Sequence, residues 1–215
     1  FIHESNSFAG RSNIMLGRKA RRIFTGTDGM EKFFTVQKIS ITGNPVRTAI
    51  AESTITKSEG LKFFSLEEGK KTVLVVGGSL GAKSINEAIY KELDNLLKAG
   101  LQIIWQTGKP YSAKAKERTN GISSVWVNDF ITRMEYAYAA SDIVISRAGA
   151  IAIAELCVMK KPTLFVPFPY AAEDHQTVNA QSLVEKNAAK MVKDSEMKEK
   201  FLPTLLEICE KENLQ

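Results

Sequence analysis

An α/β fold, a doubly wound Rossmann-like parallel sheet, is what this 215-residue sequence predicts. From residue 72 onward, short β-branched runs alternate with amphipathic helical patterns. The run "TVLVV" passes through a glycine turn straight into a helical stretch, and a second small-residue turn, Gly149 and Ala150, does the same after "DIVIS". Alternation of this kind builds right-handed βαβ units and a sheet covered on both faces.

Residues 1–43 read differently. They hold a turn around "NSFAG", a basic helix near 11–21 and short strands in "RIFT" and "KISIT", too little to close a sheet of their own. Because Phe1 begins inside a strand-like "FIH", this segment is expected to be the end of a preceding α/β domain, and the chain a fragment. The boundary falls in "TGNPVRT", where Gly43 and Pro45 punctuate the chain and Pro45 biases Asn44 away from helix. Residues 44–215 then form the doubly wound domain. Its strands are read at 72–76, 101–106, 123–127, 142–146, 162–166 and 189–192, and its helices at 82–98, 111–118, 132–140, 150–159 and 174–186. In the first helix Ile85, Ile89, Leu93, Leu96 and Leu97 recur three and four residues apart, and Gly100 stands where a left-handed cap belongs.

Composition narrows the class. Apolar residues at 44% and charged residues at 25% describe an ordinary globular chain. Cys157 and Cys209 lie far apart with no CxxC or His/Cys cluster, which argues against a disulfide framework or zinc site and fits a reducing compartment. No apolar run approaches the roughly 20 residues of a spanning helix, and no signal-peptide pattern is present, so a soluble cytoplasmic protein is expected. Of the net charge of +5, a surplus of four sits in residues 1–43, where seven Lys/Arg face three acidic residues. That surplus is either a solvated helix face or a surface that meets anionic lipid or a phosphorylated substrate. Nucleic acid is disfavoured, because the basic residues lack the interleaved aromatics that base stacking needs.

The glycine turn "GGSLGA" (77–82) fits neither standard phosphate motif. A dinucleotide fingerprint needs glycines at one, three and six, whereas Gly77, Gly78 and Gly81 stand at one, two and five. A Walker A loop would need glycine at Ala82, and no strand ends in the acidic residue that would hold magnesium. What remains is a cradle of main-chain N–H groups at the positive end of a helix, with Ser79 adding a hydroxyl; the alternative is a tight turn without a ligand. "SRAGAIAIAELC" (146–157) repeats the plan, with Glu155 in the second helical turn, where it either caps and solvates or accepts both hydroxyls of a ribose. In "PFPYAAEDHQTVNA" (167–180) Asp174 suits a helix cap, and Gln176 and Asn179 share a helix face with amides suited to sugar hydroxyls.

"HESNSFAG", "TGNPVR", "GGSLGA", "RAGA" with Glu155, and "DHQTVNA" follow the order and approximate spacing of a known family. The sequence resembles the bacterial peptidoglycan glycosyltransferases of family 28, over nearly the whole chain. The resemblance implies a GT-B fold, with residues 1–43 as the end of the N-terminal acceptor domain and linker, and 44–215 as the C-terminal UDP-sugar-binding domain. It implies that Arg47 and Ser79 approach a diphosphate together with the helix start at Ala150, Ile151 and Ala152. The backbone of Ile131 would read the uracil edge and Glu155 would hold the ribose. Gln176 and Asn179 would take the N-acetylglucosamine hydroxyls, and Asn6 would reach the cleft from the N-terminal side. Ala152 stands where the family often has Thr or Ser, which removes a hydroxyl and leaves backbone donors.

The implied reaction moves N-acetylglucosamine from UDP-N-acetylglucosamine to the muramyl 4-hydroxyl of a lipid-linked acceptor, lipid I, with inversion. No cofactor or metal is implied. The general base and the acceptor loops would lie in the N-terminal part, so this chain is expected to bind donor without turnover; neither His3 nor His175 is assigned as the base, and His3 is expected to orient the "HESN" turn. A lipid-linked acceptor implies a peripheral position on the cytoplasmic face of the bacterial inner membrane, with the basic helix docking on anionic lipid. Another GT-B UDP-sugar enzyme, an epimerase or transferase, and a non-catalytic nucleotide-sugar binding module are the rival readings.

Overall fold

The structure, a computed structural model, describes residues 1–210. Residues 211–215, the end of the expected second domain, lie outside the described residues.

The first 43 residues build more than the sequence suggests. Strand β1 (Ile2–Glu4), helix α1 (Arg11–Gly17), strand β2 (Ile23–Thr25) and strand β3 (Ile39–Ile41) form a separate three-stranded parallel sheet in the order β1-β2-β3. Three residues per strand suffice because Ala9, Ile23, Met30 and Phe34 close a small core of their own. Helix α1 stops at Gly17, short of the expected position 21. A side chain at Gly17 would meet the Phe34 ring at 2.8 Å, and the exposed basic residues Arg18, Lys19, Arg21 and Arg22 follow in a turn rather than on the helix.

Two short helices absent from the sequence reading lead onward, α2 (Thr48–Ala51) and α3 (Lys57–Phe63). The second starts on a capping box: Thr56 accepts from the Glu59 N–H while the Glu59 carboxylate accepts from the Thr56 N–H. Gly60 lets α3 press on a later helix, since a Cβ there would lie 2.7 Å from the Ala140 nitrogen.

The second sheet follows in chain order: β4 (Thr72–Val76), α4 (Lys83–Lys98), β5 (Gln102–Gln106), α5 (Ser112–Arg118), β6 (Val125–Asn128), α6 (Met134–Ala140), β7 (Ile143–Ser146), α7 (Ala150–Val158), β8 (Thr163–Phe165), α8 (His175–Val184), β9 (Lys190–Met191) and α9 (Met197–Glu210). The six strands are parallel in the order β6-β5-β4-β7-β8-β9. All six expected strands and all five expected helices of this region are present within two residues at most ends.

Successive residues of one strand serve two cores. Val73 and Val75 pack with Ile85, Ile89 and Leu93 of α4 and with Phe201 and Leu205 of α9. Leu74 and Val76 point to the opposite side, among Leu61 of α3, Met134 of α6 and Leu156 of α7. Both faces of the sheet are therefore dry, which is why the strands are unbroken apolar runs rather than alternating ones. The buried Trp105 satisfies its indole N–H on Asn86 Oδ1 at 2.9 Å, and Asn86 Nδ2 in turn donates to the Thr107 carbonyl at 2.7 Å. In α9, Met197, Phe201, Leu205 and Ile208 make one apolar stripe against this core. Among the described residues no helix is long and apolar enough to cross a membrane.

Candidate functional site

The sheet order reverses at β4: β5 and β6 lie on one side and β7, β8 and β9 on the other. Open parallel sheets hold ligands outside the carboxyl ends of their strands at such a switch point. There the ends of β4 and β7, Val76 and Ser146, are paired neighbours, and a cleft of about 800 Å³ opens above them.

The glycine turn forms one wall. A Cβ on Gly77 would fall 2.4 Å from the Ala82 nitrogen, and Gly81, at φ +76°, would drive one to 1.9 Å from the Thr107 carbonyl. The loop thus folds back under the start of α4 because two of its residues have no side chain. Ser79 stands exposed at the tip, on the cleft. Helix α4 begins after Ala82 and α7 after Gly149, neither with a side-chain cap. Two helix starts therefore turn free backbone donors and positive dipole ends toward the cleft, the arrangement that favours an anion.

Glu155 and Arg47 are brought together. Arg47 donates Nε–H to Glu155 Oε1 at 2.8 Å and Nη2–H to Oε2 at 3.1 Å, and the Tyr138 hydroxyl donates to Oε2 at 3.1 Å. The glutamate side chain is 7% exposed and the arginine 60%. The hydrogen bonds to Glu155 raise the Arg47 pKa, so it stays protonated. Burial, with the Glu155 charge beside it, pushes the Tyr138 phenol up and keeps it a hydroxyl donor. Glu155 and Arg47, expected to serve ribose and diphosphate separately, are thus paired with each other, and the buried carboxylate is matched by a cation.

Ile131 is buried, and its N–H donates to Gln106 Oε1 at 2.9 Å. The Gln106 amide also donates to the Gly78 carbonyl at 3.0 Å, so one side chain ties the expected base-reading segment to the glycine loop. Gln176 sits on the cleft wall, where its Oε1 accepts from the N–H groups of Ala148 and Phe168 at 3.1 and 3.0 Å. Ala152 lies on the same wall, while the Ala150 carbonyl accepts from Asn44 Nδ2 at 3.4 Å and Ile151 points outward, 42% exposed.

Asn6 and Asn179 differ from expectation. Asn179 is 3% exposed; its Oδ1 accepts from the Ser7 N–H at 2.8 Å, and its Nδ2 donates to Asn6 Oδ1 at 3.1 Å and to the Ala148 carbonyl at 3.3 Å. The pair fastens the small sheet to the large one instead of facing the cleft. Asp174 also departs from its expected role: it occupies the N-cap position of α8 at φ 51° without a side-chain cap, and accepts from the Thr177 hydroxyl at 2.6 Å. The "HESN" turn is ordered mainly by Glu4, whose buried carboxylate accepts from the N–H groups of Asn6 and Gly10 at 3.0 Å and from Asn13 Nδ2 at 2.8 Å. His3 is exposed, and as expected its ring braces the turn, with hydrogen bonds between Nδ1 and the Ser5 hydroxyl at 3.2 Å and between Nε2 and the Gly43 carbonyl at 3.3 Å.

Sequence reasoning missed Tyr138, Gln106 and Arg147. Arg147 bonds Asp194 Oδ1 at 2.5 Å, Ser84 Oγ at 3.1 Å and the carbonyls of Val166 and Pro167 at 3.0 Å, joining four segments under the cleft. Gln106 and Arg147 each carried a signal, a polar residue closing an apolar strand at its carboxyl end. Tyr138, one of two tyrosines in "YAYAA", carried none.

A parallel sheet with an anion-friendly cleft at its switch point, joined through residues 42–71 with α2 and α3 to a second parallel sheet, defines the class: a Rossmann-like unit of a GT-B glycosyltransferase. Residues 72–215 match the glycosyltransferase family 28 C-terminal domain, and the chain belongs to that family. It is 51% identical over 209 residues to a Parabacteroides distasonis protein, covering 96% of this chain and 57% of that one. A Phocaeicola vulgatus protein is 46% identical over 209 residues, covering 96% and 56%. Both are named UDP-N-acetylglucosamine--N-acetylmuramyl-(pentapeptide) pyrophosphoryl-undecaprenol N-acetylglucosamine transferase. The crystal structure of Acinetobacter baumannii MurG superposes with a TM-score of 0.76 at 28% identity, covering 99% of this chain and 58% of that one. The chain thus spans a little over half the length of these relatives.

Proposed function

We propose that the protein of which this chain forms part transfers N-acetylglucosamine from UDP-N-acetylglucosamine to the muramyl 4-hydroxyl of undecaprenyl-pyrophosphoryl-MurNAc-pentapeptide, converting lipid I to lipid II. In this reading residues 44–215 are the donor-binding domain and residues 1–43 the end of the acceptor domain and linker. One observation carries it: the 51% and 46% identity to transferases of this name extends over 96% of the chain, beyond the residues 72–215 that match the family's C-terminal domain.

The cleft supports the chemistry. As the muramyl oxygen attacks the anomeric carbon from the face opposite UDP, negative charge grows on the departing diphosphate. Donors fixed in advance pay no reorganisation, and losing one such group typically costs about 3–4 kcal/mol of barrier. Ser79 and the open helix starts at Ala82 and Gly149 fill that role here, and Arg47 adds its charge once it turns from Glu155 to the diphosphate. Glu155 takes the ribose, the Ile131 backbone the uracil, and Gln176 the hexosamine.

Membrane docking belongs to the same reading. Arg18, Lys19, Arg21 and Arg22 are exposed beside Met15 and Leu16, which are 67% and 52% exposed. Each cation near anionic lipid contributes about 1 kcal/mol. In this reading the full-length protein sits on the cytoplasmic face of the inner membrane.

Calorimetric titration of the chain with UDP-N-acetylglucosamine, UDP-N-acetylgalactosamine and UDP tests the donor assignment. Binding of the first in preference to the second supports it, and no heat with any of the three overturns it. For docking, changing the four basic residues to glutamine in the full-length protein should reduce sedimentation with anionic liposomes; unchanged sedimentation removes that part.

A further inference from the structure

We propose that Arg47 is a specificity-determining latch, which holds the ribose site shut through Glu155 until a diphosphate draws it away. The inference rests on the donor reading above and adds a condition to it: the two halves of the ligand are not recognised independently.

The geometry carries the idea. Both oxygens of the Glu155 carboxylate are occupied by the Arg47 fork, at 2.8 and 3.1 Å, and Oε2 also holds the Tyr138 hydroxyl. A ribose that needs the same oxygens must displace a two-point, charge-assisted pair with two neutral hydroxyls, an unfavourable exchange on its own. Glu155 is buried and fixed on α7, so it is not the group that yields. Arg47 is the movable partner: its side chain is largely exposed and it directly precedes the four-residue helix α2. It lines the same cleft as Ser79 and Gly77. A diphosphate at the glycine loop offers the guanidinium a new bidentate anion in place of the old one, and the vacated carboxylate oxygens then accept the ribose hydroxyls. Nucleosides, which supply no anion, leave the latch closed.

The consequence is positive coupling between the two halves of the ligand when they are offered as separate molecules. Uridine and inorganic pyrophosphate, titrated into the unaltered chain, should each tighten the other's binding by about fivefold or more, and reciprocally, as linkage requires. Two simply adjacent sites would show none. In Arg47→Gln the coupling should vanish, uridine alone should bind more tightly than in the unaltered chain, and UDP more weakly.

The unaltered chain suffices for the main measurement, so a variant that folds poorly does not decide the matter. Coupling near unity, or negative coupling, in a chain that binds UDP overturns the latch and leaves the donor assignment standing. Weaker uridine binding in folded Arg47→Gln also overturns it, because Arg47 would then support the ribose site. A chain that binds neither UDP nor uridine overturns both.

Discussion

Arg47 and Glu155, 108 residues apart in sequence, meet in a two-point ion pair that closes the segment ahead of α2 onto the first turns of α7. The contact joins the segment preceding the large sheet to the middle of that sheet's own helical layer.

Glu155→Gln keeps the volume and one acceptor but removes the charge. Hydrogen bonds to charged groups are worth about 1.5–3 kcal/mol, so UDP, UDP-N-acetylglucosamine and UDP-N-acetylgalactosamine should all weaken by a similar factor, about 10–100-fold, by calorimetry. A loss confined to the sugar-bearing ligands would move Glu155 from ribose to hexosamine.

Gln176 braces the loop ends as well as facing the cleft, so truncation to alanine mixes two effects. Gln176→Glu retains the accepting oxygens and discards the amide donor. The added charge should weaken both diphosphates, and UDP-N-acetylglucosamine should fall about tenfold further than UDP, in keeping with a lost hydrogen bond of about 1–1.5 kcal/mol.

Asn179→Ala leaves the Ser7 N–H and the Ala148 carbonyl without their partner. The cost should be about 1–3 kcal/mol, seen as a thermal midpoint roughly 2–10 °C lower. UDP-N-acetylglucosamine should weaken no more than UDP. A selective loss of the sugar nucleotide would return Asn179 to the hexosamine.

Gly81→Ala adds a methyl at positive φ, 1.9 Å from the Thr107 carbonyl. Strain and displacement together should lower stability by at least about 2 kcal/mol and weaken UDP, because the loop must lift off the 107–108 turn. Wild-type melting and binding would show that the loop is not seated as described.

The α3 capping box should give an acid-dependent contribution. Hydrogen bonds from the backbone and hydroxyl of Thr56 lower the Glu59 pKa below its ordinary value of 4.5. The folded state therefore holds this proton less tightly than the unfolded chain, and the stabilisation is present above pH 4.5 and disappears as pH falls below it. Glu59→Gln should melt earlier than the parent at pH 7, and the gap should close as the pH is lowered step by step below 4.5. A difference that does not shrink on acidification would point to a role other than the charged cap.

Much of the large sheet was legible because a strand buried on both faces is written as an uninterrupted apolar run. "TVLVV", "QIIWQ" and "DIVIS" therefore announce themselves without neighbours. The short helices α2 and α3 escaped notice; four and seven residues carry too little periodicity, although "TKSE" at 56–59 is a capping-box sequence. The small sheet was underestimated because three-residue strands are stabilised by partners 16–21 residues away rather than by their own pattern.

The sequence by itself determined the alternation of strands and helices, the two glycine-led turns and the family, since each is encoded in residues close together along the chain. Only the tertiary structure decided what those side chains face. Arg47, Tyr138 and Glu155 converge because β4 and β7 are neighbours and α3 and α6 pack through Gly60. Asn6 and Asn179 meet across 173 residues at the junction of two sheets. Hydrogen-bond partners are set by distances of a few ångströms between segments far apart in sequence, and a one-dimensional pattern carries no record of such distances.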